Sequence, residues 1–295
     1  MSAYFVLICA NGDLMDTSLL TSIRSADYER CIDMRPDIGA TASVHQRSRL
    51  RFAHLSVSQP SLIVVINGEK TLQYHGQHQA ITTTVAAGQA ILLDHGTYDI
   101  INRPAADGLY EAFWLAWDHG HITAFATRTP PIKPTCPQHL RHIEPDFYAA
   151  LLRARQALMC ADIPAAIALH RMEEVLWWLY EQGIAFEART TPSLITRLGH
   201  LLSGQPDHGW TLAEVADRLA VGQATLRRRL AADGKTFSDI LIDTRMSLAL
   251  TLLQCSDQPI NRIALDVGYE LASRFAVRFR KRFGFAPSEV RGHSR

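Results

Sequence analysis

Two clusters of cations carry the strongest chemical signal in the chain. Arg227, Arg228 and Arg229 are consecutive, and Arg274, Arg278, Arg280, Lys281 and Arg282 crowd a second stretch nearer the C-terminus. A guanidinium can donate to guanine O6 and N7 at once, worth about 1–3 kcal/mol of discrimination between bases, and any Arg or Lys can neutralise a phosphate. Three adjacent arginines on a helix point in different directions, so taken alone they also suit a merely solvated face. A repeat of the arrangement in one chain favours a polyanionic partner.

Other chemistries find less support. The five cysteines (Cys9, Cys31, Cys136, Cys160 and Cys255) include no CxxC pair, which argues against a disulfide framework and a structural zinc site and leaves reduced, packed thiols. Of the thirteen histidines, His75 and His78 have the wrong parity to share one strand face, and His45, His54 and His95 would have to gather from separate segments. No metal and no cofactor is therefore expected. No Ser/His/Asp set, phosphate-cradling glycine loop or carboxylate pair stands out either, so the sequence predicts a protein that is not an enzyme.

The bulk numbers place the cations in one part of the molecule. The 295 residues carry a net charge of only +1, but residues 1–189 hold 15 Lys/Arg against 19 Asp/Glu, while residues 190–295 hold 15 against 10. A basic module attached to a mildly acidic one implies that only the C-terminal part meets the polyanion. The length and the 47% hydrophobic content suit two domains. The apolar run over residues 4–10 is too short to span a bilayer and lacks the basic residues of a secretory leader, so a cytoplasmic location without membrane association is expected.

The first half reads as strands. Residues 61–66, the turn Asn67-Gly68 and the alternating residues 71–74 resemble a hairpin. Further strands are expected over residues 81–85, 90–93, 98–101 and 110–117, a spacing typical of a sandwich or small barrel. Residues 128–145, with Pro130, Pro131, Pro134 and Pro137, read as an extended connector. The period then changes to helical: Phe147, Leu151, Ala154 and Leu158 form one stripe, and Ile167, His170, Val175, Leu176 and Leu179 a second. An exposed stripe on one of these helices would suit a dimer contact.

Past a linker the chain is almost wholly helical, with Pro192 suited to the first turn of a helix ending near Leu202. Thr211 and Glu214 have the spacing of a capping box, followed by the inward positions Leu212, Val215, Ala216 and Leu219. After a three-residue turn, a second helix over residues 223–232 buries Leu226 and Leu230 and carries the three arginines, the layout in which a recognition helix enters a major groove. A long helix over residues 238–255 leads to a second pair, with Gly268-Tyr269 at the turn. Phe237, Phe279 and Phe283 read as core, Gly268 and Gly284 as turn glycines, and Pro287 as the start of a last helical turn.

The run Asn261-Arg-Ile-Ala-Leu-Asp-Val-Gly-Tyr269, then Phe275, Phe279-Arg-Lys-Arg-Phe-Gly284 and Ala286-Pro287-Ser-Glu-Val-Arg291 resembles the signature of the AraC/XylS family of bacterial transcription regulators. It is somewhat closer to the virulence and acid-response regulators of enteric bacteria than to the sugar-responsive members. The resemblance covers residues 192–292 and implies two recognition helices entering successive major-groove segments. By position it puts Gln223, Ala224, Arg227 and Arg228 at bases in the first unit and Ala272, Ser273 and Val277 in the second. Arg229, Arg274, Arg278, Arg280 and Lys281 are left for phosphates. Val277 stands where relatives often carry a polar or basic residue, so weak reading by the second unit is expected.

The resemblance further implies an α+β protein of two domains: residues 1–183 as a cupin-like β-barrel with a helical dimerisation segment, residues 184–191 as a linker, and residues 192–295 as an all-α double helix-turn-helix domain. It implies a sequence-specific regulator, expected to be an activator, that binds promoter double-stranded DNA, contacts RNA polymerase and forms a homodimer. The aromatic-rich strand with Phe113, Trp114 and Trp117 would admit a fatty-acid-like effector, with Arg51, His54 or Lys70 as carboxylate partner. The alternatives are control by a regulatory protein docking on the N-terminal domain and, less favoured by the histidine spacing, a cupin-type metalloenzyme with a DNA-binding tail.

Overall fold

A computed structural model describes residues 32–57, 59–75, 80–132, 138–187, 194–232 and 234–291. The first three strands, β1 (Ile32–Arg35), β2 (Gly39–Gln46) and β3 (Leu50–Val57), are followed by β4 (Ser61–Asn67), β5 (Glu69–His75), β6 (Ala80–Ala86), β7 (Ala90–Leu93), β8 (Gly96–Arg103) and β9 (Tyr110–Trp117). After helix α1 (His119–Ala126) comes a short strand, β10 (Gln138–Leu140), and then the helices α2 (Pro145–Met159) and α3 (Ala165–Glu181). His78, Cys9, Cys31 and Cys136 lie outside the described residues.

The strands form two antiparallel sheets, in the orders β1-β2-β9-β4-β7-β10 and β3-β8-β5-β6. No strand pairing joins the two sheets among the described residues, so the expected barrel is not closed; the architecture is a β-rich sandwich. The expected hairpin over residues 61–74 is also corrected. β4 pairs with β7 and β9, whereas β5 pairs with β6 and β8, so Asn67-Gly68 is a corner between sheets. Gly68 turns it at φ +79°, where an added Cβ would clash with the Arg103 carbonyl oxygen.

Burial explains why these strands read as they do. Leu62, Val64, Leu92, Phe113, Leu115 and Trp117 of the six-stranded sheet pack against Phe147 and Leu151 of α2 and Met172 and Val175 of α3. Ala112, Val65 and Ile91 face the other way, toward Phe52, Leu72 and Ile100 of the four-stranded sheet. A sheet covered on both faces needs near-continuous apolar strands, and all four residues of β7 are buried. The outer face of the four-stranded sheet is solvated: Thr82 and Thr84 of β6 are exposed, while Val85 is buried.

The expected stripe of α2 is buried as drawn. That of α3 is rotated: Ala168 and Met172 join Val175, Leu176 and Leu179 in the core, while Ile167 and His170 are exposed. Helix α1, absent from the sequence reading, starts where Asp118 accepts from the Gly120 amide. β10 lies in the segment read as connector and pairs with β7. Among the described residues no helix is long and apolar enough to cross a membrane.

The C-terminal part comprises α4 (Leu194–Gly204), α5 (Leu212–Arg218), α6 (Gln223–Ala232), α7 (Phe237–Cys255), α8 (Ile260–Asp266), α9 (Ala272–Phe283) and α10 (Pro287–Val290). Leu198, Leu202, Trp210, Val215, Leu226, Leu230 and Ile240 form one core. The far half of α7, through Met246, Leu250 and Leu253, belongs to a second core with Ile263, Phe275 and Phe279 that runs on into the sandwich interior. Phe52 of β3 meets Phe283 and Phe285 at ring distances of 6.3 and 5.7 Å. The long helix thus joins three bodies: the first helix pair, the second pair and the β-domain.

Candidate nucleic-acid interface

In the first unit, Thr211 caps α5 by accepting from the Glu214 amide at 3.2 Å. The Glu214 carboxylate, expected to reach back to the Thr211 amide, instead meets His208 Nε2 at 3.0 Å and Arg218 at 3.3 Å. Ala220 makes the turn at φ +53°. Helix α6 then buries Leu226 and Leu230, which leaves Gln223, Ala224, Arg227, Arg228 and Arg229 exposed on the opposite side.

The second unit repeats this division. Phe275, Phe279 and Phe283 recur every four residues and are buried, while Ala272, Ser273, Arg274, Arg278, Arg280 and Lys281 are exposed and Val277 is 71% exposed. The core reading of Phe279 and Phe283 therefore holds, and Phe237 is partly buried against the first core. Arg278 lies beside the Tyr269 hydroxyl, whose pKa burial holds above its ordinary value.

Two arginines act in a way the sequence did not disclose. Arg282, one residue beyond the exposed set, turns back to Asp243 Oδ1 at 2.7 Å and donates to the carbonyls of Ala53 and His54 at 2.8 and 2.7 Å. It is a clamp between the second unit and β3. Its place immediately before the buried Phe283 was the available signal, because that position borders the apolar stripe.

Arg245 of α7 donates to the Pro206 carbonyl at 2.8 Å and the His208 carbonyl at 2.9 Å, and reaches Gly268 O at 3.4 Å. It ties the loop ahead of the first unit to the turn of the second, fixing the spacing of α6 and α9. Gly268 makes room for it: the φ is +81°, and an added Cβ would lie 2.7 Å from Arg245 Nη2 and 2.9 Å from the Pro206 carbonyl. Gly268→Ala is expected to cost about 1–3 kcal/mol through the strained backbone and the displaced guanidinium. Chemical denaturation would show the shifted midpoint, and an unchanged midpoint would mean that the turn relaxes freely.

The three cations suggested for an effector carboxylate do not converge. Arg51 pairs with Asp99 at 2.9 Å, and the His54 amide donates to the same carboxylate at 2.7 Å. Burial alone would raise the Asp99 pKa, but the His54 amide and the Arg51 guanidinium outweigh it and hold it below the ordinary carboxylate value. Lys70 lies instead inside the molecule, 5% exposed, where Nζ donates to Asn102 Oδ1 at 2.7 Å. Asn102 donates to Gln46 Oε1 at 3.1 Å, which also accepts from Gln254 of α7 at 3.1 Å. Burial pushes Lys70 down to about 7. Cross-strand partners share a face, and the pairing of Lys70 with Asn102 but Arg51 with Ile101 puts the two cations on opposite faces of the sheet. Among the described residues no three His, Cys, Asp or Glu side chains are grouped to hold a metal ion.

Two helix pairs, each with a buried apolar stripe beneath an exposed cationic helix and joined by one long helix, define a double helix-turn-helix module. A family model described as a helix-turn-helix domain matches residues 215–293. Over 103 residues the chain is 32% identical to the HTH-type transcriptional regulator GadX of Escherichia coli, covering 35% of this chain and 38% of that protein. It is 34% identical over 98 residues to the HTH-type transcriptional regulator YdeO of Escherichia coli K12, and 30% identical over 125 residues to an Escherichia coli urease operon transcriptional activator. The C-terminal module of this chain is thus similar to the corresponding part of these HTH-type transcriptional regulators. The chain spans less than half the length of the curated relatives it matches.

The whole fold resembles that of ToxT from Vibrio cholerae. An apo form aligns with a TM-score of 0.62 at 12% identity over 87% of this chain and 97% of that one. A form of ToxT bound to an unsaturated fatty acid aligns at 0.59 and 13% identity, over 89% of this chain and all of the other. The likeness establishes a two-domain arrangement of a β-rich N-terminal domain and a helical C-terminal domain.

Proposed function

We propose that the protein is a transcription regulator that reads promoter DNA with α6 and α9 and answers to a small effector in its N-terminal domain. The observation that carries this reading is the exposure of Gln223, Arg227 and Arg228 on a helix whose opposite side is fully buried in a rigid core. Gln223, Ala224, Arg227 and Arg228 take most of the base discrimination, since they alone among the reading positions include bidentate donors to guanine. Ala272, Ser273 and Val277 offer one hydroxyl and apolar contacts. Arg229, Arg274, Arg278, Arg280 and Lys281 neutralise phosphates.

The effector end of the proposal rests on Lys70. Of the three carboxylate partners considered, Arg51 and His54 already serve Asp99, and Lys70 alone is interior. It sits where α7 meets the sandwich, 5.4 Å from the centre of the Tyr110 ring, and the buried Tyr110 hydroxyl has no hydrogen-bond partner among the described residues. A fatty-acid-like carboxylate there would restore the Lys70 charge and report through Gln254 to the DNA-binding module. The exposed Ile167 and Trp177 of α3 suit pairing of two chains. Action as a homodimeric activator with RNA polymerase, in the cytoplasm, completes the proposal.

Arg227→Ala should weaken a cognate site about 10- to 100-fold while leaving binding to random DNA within a few-fold, as the loss of one bidentate base contact requires. Fluorescence anisotropy on both DNAs would decide it, and equal losses on the two would remove Arg227 from the base-reading set. Each phosphate contact should add about 0.9 to the slope of log affinity against log salt, so a slope near zero would sink the DNA-binding reading itself.

A further inference from the structure

Val277 marks the crest of α9. It is 71% exposed, although its side chain is large and apolar and β-branched residues form helix less readily than Ala. At a helical advance of about 100° per residue it lies about 160° from both Phe275 and Phe279, directly opposite the buried stripe. Ser273 and Lys281 stand one turn before and one turn after it on nearly the same line, and Arg274 and Arg280 flank it at about 60° to either side. All four are exposed. A lone exposed Val is ordinary, but neither packing nor solubility accounts for one ringed by Arg274, Arg280 and Lys281.

We infer that Val277 is a specificity residue that selects thymine, through the 5-methyl group that thymine alone of the four bases carries into the major groove. The inference rests on the reading of α9 as a helix that enters the groove, and adds to it the base met there. A helix with its side chains is about 10–12 Å across and the groove about 12 Å wide, so the crest of an inserted helix faces the floor and residues to either side face the walls. Arg274 and Arg280 are thereby directed to the two phosphate strands and Val277 to the base edges. An isopropyl group set against N6, N7, O6 or N4 strips water from those atoms and returns no hydrogen bond, whereas against the thymine methyl it buries apolar surface on both partners. The selection therefore has a repulsive and an attractive part.

A protein partner fits the same surface less well. Among the described residues of α9, Val277 alone is large, apolar and exposed. One such side chain is too small for the apolar core of a protein interface, from which charged residues are depleted. Cations on both flanks of a single apolar contact instead match a groove, where phosphates line the walls and base edges the floor.

Selection of binding sites by the full-length protein from a random duplex pool, followed by replacement of each thymine of the selected site with deoxyuridine, tests the assignment. Deoxyuridine pairs as thymine does and lacks only the methyl. At least one thymine is expected whose replacement weakens binding about fourfold, the change that burial of one methyl-sized group implies. Val277→Ser should bind thymine and deoxyuridine equally at that position and should no longer select thymine there. If that variant does not fold, Val277→Gln, a better helix former, takes its place with the same expected loss of sensitivity. A selected site in which no deoxyuridine matters, the result that a protein-docking role for Val277 would give, overturns the inference. So does a sensitivity that persists unchanged in the folded variant. Both results leave the regulator reading standing, whereas a pool from which no sequence is selected removes that reading and this inference together.

Discussion

Lys70→Met is expected to stabilise the protein at pH 7 by about 2 kcal/mol and to flatten the rise of its stability with pH above neutrality. The buried ammonium has its pKa lowered from 10.5 to about 7 by loss of hydration, with Cys255 acting weakly in the opposite sense. A group whose folded pKa is depressed in this way binds a proton in the unfolded chain that it lacks in the folded one. Between about pH 7 and 10.5 the unsubstituted protein should therefore gain stability as pH rises, by up to about 1.4 kcal/mol per unit from this residue. Below pH 7 both states carry the proton and the full penalty remains. The methionine removes the penalty, and the Asn102 carbonyl oxygen that Lys70 now satisfies gives back about 1–3 kcal/mol of the gain. Urea unfolding of both proteins from pH 6 to 10 isolates the difference; parallel curves would show that Lys70 keeps an ordinary pKa. The same variant should lose response to a fatty-acid-like effector, which separates a lysine kept for a ligand from one that is merely buried.

Phe279→Ala should cost about 3–5 kcal/mol, the range for truncating a buried aromatic residue. The ring is fully buried, with its centre 5.6 Å from Phe275, 4.7 Å from Phe283 and 6.0 Å from Phe285. Loss of this support should leave α9 unable to hold its cations toward DNA, so affinity for cognate and random sites should fall together. Val277→Ala, two residues earlier on the same helix but 71% exposed, should change stability by less than about 0.5 kcal/mol. Thermal melts of the two variants make the comparison, and similar costs for both would mean that α9 is rotated from the orientation described.

The C-terminal module was legible because its information is local. A helix repeats every 3.6 residues, so Phe275, Phe279 and Phe283 declare the buried side of α9 without reference to anything else, and Arg278, Arg280 and Lys281 between them then face outward. Leu226 and Leu230 do the same for α6. The sandwich was less legible for the opposite reason. Asn67-Gly68 between two apolar stretches is the local pattern of a hairpin, and only the long-range pairing of β4 with β9 and of β5 with β8 makes it a corner between sheets. The rotation of α3 likewise depends on its neighbours: Ile167 and His170 fit a helical stripe as well as Ala168 and Met172 do, and the surface of the six-stranded sheet chooses between them.

The effector candidates mark the same boundary. Arg51, His54 and Lys70 were grouped by charge, but strand parity sends Lys70 inward and Arg51 outward, and the two exposed candidates are held by Asp99.

The two arginine clusters were thus placed on their helices, α6 and α9, by the sequence itself. Tertiary structure alone decided which arginines turn back to the protein, because Arg282 and Arg245 meet partners 23 to 229 residues away along the chain. A residue's helical phase is written in its near neighbours, whereas a charge that finds an anion or carbonyl on another element is set by how those elements pack.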